Sequence, residues 1–259
     1  MASKELDRVS IRDWDVQSLR VTAILPVNTE LNSDTWWQDI VGSQPDTSVV
    51  RSKIGERVQQ GTALGGQLTL RIQPSRIDWL LNPVVPDSND PEASSPTTAI
   101  GRFSEIYPPF SELVERWFRV GPELTRVAFG AIVSLSVQDR IQGYRQLAPY
   151  LPGVALDPAG TTDFFYRINR RRNSESRITN LQINRLSSWS VASVEFKRFQ
   201  VTGEKADVIG GQPAFFCRVE LDINSSADFS GLLSTEQSLL IFDELKRLGV
   251  EIIEKGDVP

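Results

Sequence analysis

The sequence predicts an α+β fold, mostly antiparallel sheet in one or two lobes, with helices packed on one face. Three features predict it. Apolar and polar residues alternate over many short runs, as half-buried strands require. Glycine- and proline-rich turns separate those runs at hairpin spacing. Two stretches, around residues 110–118 and 240–248, carry apolar residues at helical spacing instead.

The elements follow in order. In "QSLRVTAILP", Leu19, Val21, Ala23 and Leu25 alternate with mostly polar neighbours, the period of a strand. "LNSDTWWQDIVG" offers Asn32, Ser33 or Asp34 as an N-cap and Gly42 as a stop, so a short helix is expected there. Trp36 and Trp37 are adjacent, and adjacency on a helix predicts that only one faces inward while the other meets a neighbouring segment or a partner. "SVVRSKIGERV", "GQLTLRIQP" and "RIDWLLNP" read as successive strands of an antiparallel meander. "PVVPDSNDPEASSPTT" has no periodicity and reads as an exposed loop or linker. It separates an N-terminal β-rich lobe (1–82) from a C-terminal α+β lobe (99–259), with 83–98 between them.

In the second part, a helix is expected after Pro109, carrying Phe110, Leu113, Val114, Trp117 and Phe118 and ended by Gly121-Pro122. "RVAFGAIVSLSVQ" gives a strand whose second face, Ala128, Gly130, Ile132, Ser134 and Ser136, is mostly small and leaves room for something packed close above it. A short helix in "DRIQGYRQLAPYLPG" leads to four strand candidates, "DFFYRI", "ITNLQINRL", "SWSVASVEFKRF" and "PAFFCRVELDIN". The closing helix "STEQSLLIFDELKRLG" has a capping box at Ser234 and Gln237, and a stripe that includes Leu240, Leu245 and Leu248.

Composition narrows the chemistry. With 40% hydrophobic and 24% charged residues, six tryptophans and twelve phenylalanines, the chain is equipped to bury a core. No apolar run exceeds four residues, so no spanning helix is expected, and "MASKELDRVSIRDWDVQ" has acidic residues where an export signal would be apolar. A cytoplasmic location is the expectation. One cysteine and no histidine exclude Ser-His-Asp and Cys-His catalysis, imidazole metal ligation and an internal disulfide. No metal, no cofactor and no catalytic residue is assigned.

The candidate sites are few. Residues 163–185 hold Arg167, Arg170, Arg171, Arg172, Arg177 and Arg185 against Asp163 and Glu175, so four positive charges are in excess where the whole chain is at −5. "NRRRNSESR" reads as a hairpin tip, either an ordinary solvated one or a patch that suits an acidic protein partner or a phosphate polyanion. Arg167, Arg170, Arg171, Arg172 and Arg177, with Trp36 and Trp37, are therefore the candidate partner-binding residues. A pI near 5.0 is low for a duplex binder. Cys217 is directed inward beside Phe215 and Val219, as a structural thiol. Glu220 and Asp222 share a strand face with Arg218, and Asp78 with Arg76, so ion-pair ladders are expected rather than a catalytic carboxylate pair. The glycines of "GTALGGQ" and "VIGGQP" match no phosphate-loop pattern.

From about residue 105 to 256, "FSELVERWFRV", "LTRVAFGAIVSL", "YRQLAPYLPG", "VELDINS" and "LSTEQSLLIFDELKRLGVEIIE" follow one another in an order that resembles a sporadically distributed family of uncharacterised bacterial proteins. The resemblance implies a bacterial or mobile-element origin and an α+β fold, and it brings no catalytic residues. The amino-terminal third lies outside it, and "AFGAIVSLS" stands where that family has an Arg-Tyr-Asn-containing strand. The reading is a non-enzymatic interaction or adaptor subunit of a multi-component bacterial assembly, mobile-element or defence-associated, with a protein partner. One alternative is a nucleic-acid-binding protein using Arg170, Arg171 and Arg172. The other is a histidine-free enzyme using Asp78, Glu220 or Asp222.

Overall fold

The computed structural model describes residues 9–84, 99–194, 197–202, 205–210 and 213–258, with backbone alone for 197–202 and 205–210. The first part contains β1 (Asp15–Ile24), α1 (Trp36–Val41), β2 (Thr47–Arg51), β3 (Glu56–Ala63), β4 (Gly66–Gln73) and β5 (Arg76–Asn82). Then come α2 (Phe103–Phe118), β6 (Arg126–Val137), α3 (Arg140–Leu147), β7 (Phe165–Asn169), β8 (Arg172–Asn173) and β9 (Gln182–Val194). The chain continues through β10 (Lys197–Thr202), β11 (Lys205–Gly210), β12 (Ala214–Ser225) and α4 (Thr235–Lys255). The fold is α+β, as the patterning predicts.

Ten strands form one antiparallel sheet in the order β2-β3-β4-β5-β1-β6-β12-β9-β7, with β8 also on β9; β10 and β11 make a separate ladder. The first strand is central: β1 pairs with β5 through Val21↔Trp79 and with β6 through Val21↔Phe129. Strands from either side of residues 83–98 thus share one sheet. Of that expected linker, residues 85–98 lie outside the described residues.

The register sorts the side chains by face. Leu68 pairs with Leu81, Leu70 with Trp79 and Ile72 with Ile77, and all six are buried. The same row continues through Val21, Phe129 and Ile223. The four α-helices of the described residues all lie on this face. Trp37 of α1 stacks on Trp79 at 6.3 Å, and Trp117 of α2 meets Trp79 edge-on at 6.5 Å. On α4, a Cβ added at Gly249 would stand 2.9 Å from Phe129, and on α3 one added at Gly143 would stand 2.8 Å from Val191. Among the described residues no helix packs on the opposite face, which carries Arg20, Asp78, Gly130, Glu220 and Asp222. Nor is any helix among them long and apolar enough to cross a membrane.

Several local expectations need correction. Trp36 and Trp37 are both buried, at 6% and 1% exposure. The helix that carries them is six residues long and sits in the corner between sheet and α2. Adjacent positions there meet two different apolar walls: Trp36 packs edge-on to Trp117 at 5.8 Å and Trp37 lies on Trp79. Gly61 of β3 clears the second indole, since a Cβ there would come within 2.9 Å of the Trp37 ring.

The second helix begins at Phe103, before both prolines rather than after them. Pro108 and Pro109 remove the donors that would bond the carbonyls of Ser104 and Glu105. Both of those residues are exposed, so water can take the place of the missing N–H groups. The "QINRL" end of "ITNLQINRL" and "SWSVASV" belong to the single strand β9, because Ser187 and Ser188 continue it between them, while residues 178–181 precede the strand. The capping box of α4 is present at Ser234 and Gln237, while Leu240 is exposed and the buried stripe runs through Ile241, Phe242, Leu245 and Leu248.

Candidate functional site

The arginine-rich segment is a strand edge, not a hairpin tip. β7 pairs with β9 through Asn169↔Leu186, the Arg170 amide donates to the Arg185 carbonyl at 3.1 Å, and β8 resumes through Arg172↔Ile183. The register is unbroken across the arginines. The turn comes later, where the Ser174 amide bonds the Leu181 carbonyl and Arg177 and Asn180 take φ of 63° and 62°. Alternation therefore splits the triplet, sending Arg170 and Arg172 to the helix side and Arg171 to the other.

Each of the three is engaged within the chain. Arg170 donates from Nε at 2.6 Å and from Nη2 at 2.9 Å to the carboxylate of Asp257, which also accepts the Tyr166 hydroxyl at 2.7 Å. Arg171 pairs with Asp228 and donates to Ser226 Oγ at 2.7 Å. Arg172 pairs with Glu175, which in turn accepts from Arg247 at 2.5 Å. Glu244 of α4 clamps the turn by accepting from Ser174 Oγ at 2.5 Å and the Glu175 amide at 2.9 Å. Arg167 and Arg177 are exposed and form no ion pair among the described residues.

Electrostatics follow this wiring. Burial disfavours a charged Asp257, but hydrogen bonds from Arg170 and Tyr166 outweigh it and hold the carboxyl below the usual carboxylate range. Arg185, 4% exposed, lies on the helix side of β9, where desolvation lowers its pKa against the opposing pull of Glu251 at 3.2 Å. Asp257 is held by geometry too. The preceding Gly256 has φ 82°, and a Cβ there would sit 2.1 Å from the Tyr150 carbonyl oxygen, which accepts the Asp257 amide at 2.8 Å. Only glycine permits that turn into the arginine edge.

The carboxylates proposed for histidine-free catalysis do not converge. Asp78 takes two bonds from Arg76, at 2.7 and 2.8 Å, and the Thr22 hydroxyl at 2.5 Å. Glu220 pairs with Arg218 at 3.2 Å, and Asp222 accepts from Asn224 Nδ2 at 2.9 Å. The Thr22 bond crosses from β1 to β5, but the ion pairs run within a strand, not across strands as a ladder would: the cross-strand neighbours of Arg218 are Ser134 and Ser190. Strands β1 and β6 separate Asp78 from Asp222, a distance of about 14 Å at ~4.8 Å per strand. Among the described residues no group of three or more Cys, Asp or Glu could hold a metal ion. Cys217 is fully buried and its thiol, pushed up to about 12 by burial, donates to the Gly143 carbonyl at 3.3 Å.

What the sequence did not single out is Arg20. Its guanidinium lies across Gly130 of β6, on the helix-free face and near the middle of the sheet. The small-residue face of β6 thus accommodates a long side chain from the next strand. The signal was present only as a pairing of Arg20 with Gly130, which requires knowing that β1 and β6 are neighbours. No family model matches the chain, and no curated protein or solved structure is significantly similar to it.

Proposed function

We propose that the protein is a non-enzymatic interaction subunit that docks a protein partner on the helix-free face of its sheet. The observation that carries this reading is the one-sided packing. Among the described residues, four helices cover one face, while the other presents a broad surface of half-buried side chains, Arg20, Leu80, Ile132, Leu186, Glu220 and Asp222 among them. A sheet face of mixed polar and aliphatic groups suits protein recognition. Resemblance over residues 105–256 to a bacterial family supports a multi-component bacterial assembly, mobile-element or defence-associated, as its setting.

The rival readings have less support. Phosphate binding by Arg170, Arg171 and Arg172 must displace their own carboxylates, and carboxylate catalysis must draw Asp78 and Asp222 together across two strands. The test is capture from the native host with the full chain as bait, comparing wild type with Ile132→Glu and Leu186→Glu on the helix-free face and Glu112→Lys on the exposed side of α2. Docking on the sheet predicts a partner kept by wild type and Glu112→Lys and lost by both face variants. A partner indifferent to the face variants contradicts it.

A further inference from the structure

Resting on that reading, we propose that Arg20 is the anchor of the docking face and takes a glutamate side chain from an acidic segment of the partner protein. Arg20 stands apart from the other arginines around it. Arg76 is held by Asp78, Arg218 by Glu220, and Arg126 donates to the Ser225 carbonyl at 2.7 Å and to Asn224 Oδ1 at 2.6 Å. Arg20 has no ion pair or hydrogen bond from its side chain among the described residues. The acids on the strands beyond it have partners on their own strand: Glu220 pairs with Arg218, and Asp222 accepts from Asn224 Nδ2. One guanidinium without an ion pair of its own is therefore left at mid-sheet, and arginine is among the residue types enriched at the energetic centre of interfaces.

The surroundings set the size and chemistry of what it takes. Arg20 borders a cavity of about 100 Å³ with Ser18, Leu80, Gly130, Ile132 and Glu220. A Cβ at Gly130 would stand 3.6 Å from both Nε and Nη2, an ordinary contact distance, so the guanidinium lies against the strand backbone at that position. Whole metabolites and nucleotides occupy pockets of roughly 300–1,000 Å³, so this one admits an end group only. Leu80 and Ile132 offer aliphatic walls for a short methylene stem, and the planar guanidinium fork matches a carboxylate. The neighbouring Asp78, Glu220 and Asp222 disfavour a polyanion, whose repeating phosphates would lie over them, but leave room for a single acidic side chain. Glutamate, an apolar stem ending in a carboxylate, fits both features.

The experiment is an NMR titration of the full chain with the peptide acetyl-Ser-Glu-Ser-amide, with acetyl-Ser-Gln-Ser-amide, and with an eight-residue oligothymidylate. The proposal predicts saturable shifts at the Gly130 amide and the Arg20 Nε–H with the glutamate peptide. It predicts at least about tenfold weaker binding of the glutamine peptide, and the same loss in Arg20→Met. Equal binding of the two peptides, undiminished binding by Arg20→Met, or shifts from the oligonucleotide alone would overturn it. If the peptide fails while partner capture is still lost in Ile132→Glu, the anchor is wrong and the docking face stands. If capture is also indifferent to Ile132→Glu, both fall.

Discussion

Asp257 and Arg170, 87 positions apart in the chain, form a two-pronged ion pair at 2.6 and 2.9 Å that fastens the segment after α4 to the edge of the sheet. The aspartate is 7% exposed and the arginine side chain 32%. This relationship turns the most conspicuous feature of the sequence, its arginine run, into internal fastening.

Asp257→Asn should therefore destabilise the protein by about 2 kcal/mol, less than a fully buried pair because Arg170 keeps some contact with water. Arg170→Ala should do the same, while Arg167→Ala stays within about 0.5 kcal/mol of wild type. Urea unfolding of the three variants checks the ordering.

The same pair sets an acid limb. The Asp257 carboxyl is held below its unfolded value of about 3.9, so its contribution is present above that pH and is lost as pH falls through the folded value. Stability measured from pH 6 down to pH 2 should fall less steeply in Asp257→Asn than in wild type. An unchanged slope would show that the aspartate titrates alike folded and unfolded.

The tryptophan cluster is the second fastening. Trp37→Ala removes the face packed on Trp79 and should cost about 3–5 kcal/mol. Gly61→Val, which drives a branched side chain into the Trp37 ring, should cost about 1–3 kcal/mol. Thermal melts followed by tryptophan fluorescence read both, and Val49→Ala on the exposed edge strand serves as the near-silent control.

Cys217, with its thiol pushed up to about 12, should not react with a disulfide reagent at pH 8 in the folded protein and should react at once in guanidinium. Rapid reaction of the native protein would mean that α3 opens readily from Gly143 and Val191.

Much of this architecture was legible in the residues. Alternation located β1, β4, β5, β6 and β12, and Ser234 with Gln237 located the start of α4, because those signals are local. Neighbour relations across the sheet were not, since β1 joins β6 more than a hundred residues later and nothing in "QSLRVTAILP" names that partner. Both Trp36 and Trp37 turn inward because two walls meet at α1, a fact of tertiary packing. Arg170 and Arg171 read as a surface patch because their acceptors, Asp257 and Asp228, come more than fifty residues later. Arg20 was invisible for the same reason as β1's position.

The central claim is that the helix-free sheet face meets the partner. Photo-crosslinking in the native host tests it most directly, with benzoylphenylalanine placed at Ala128 or Ser190 on that face and at Glu112 on the helical side. The account predicts one discrete crosslinked protein from Ala128 and Ser190 and none from Glu112. A crosslink from Glu112 alone would contradict it.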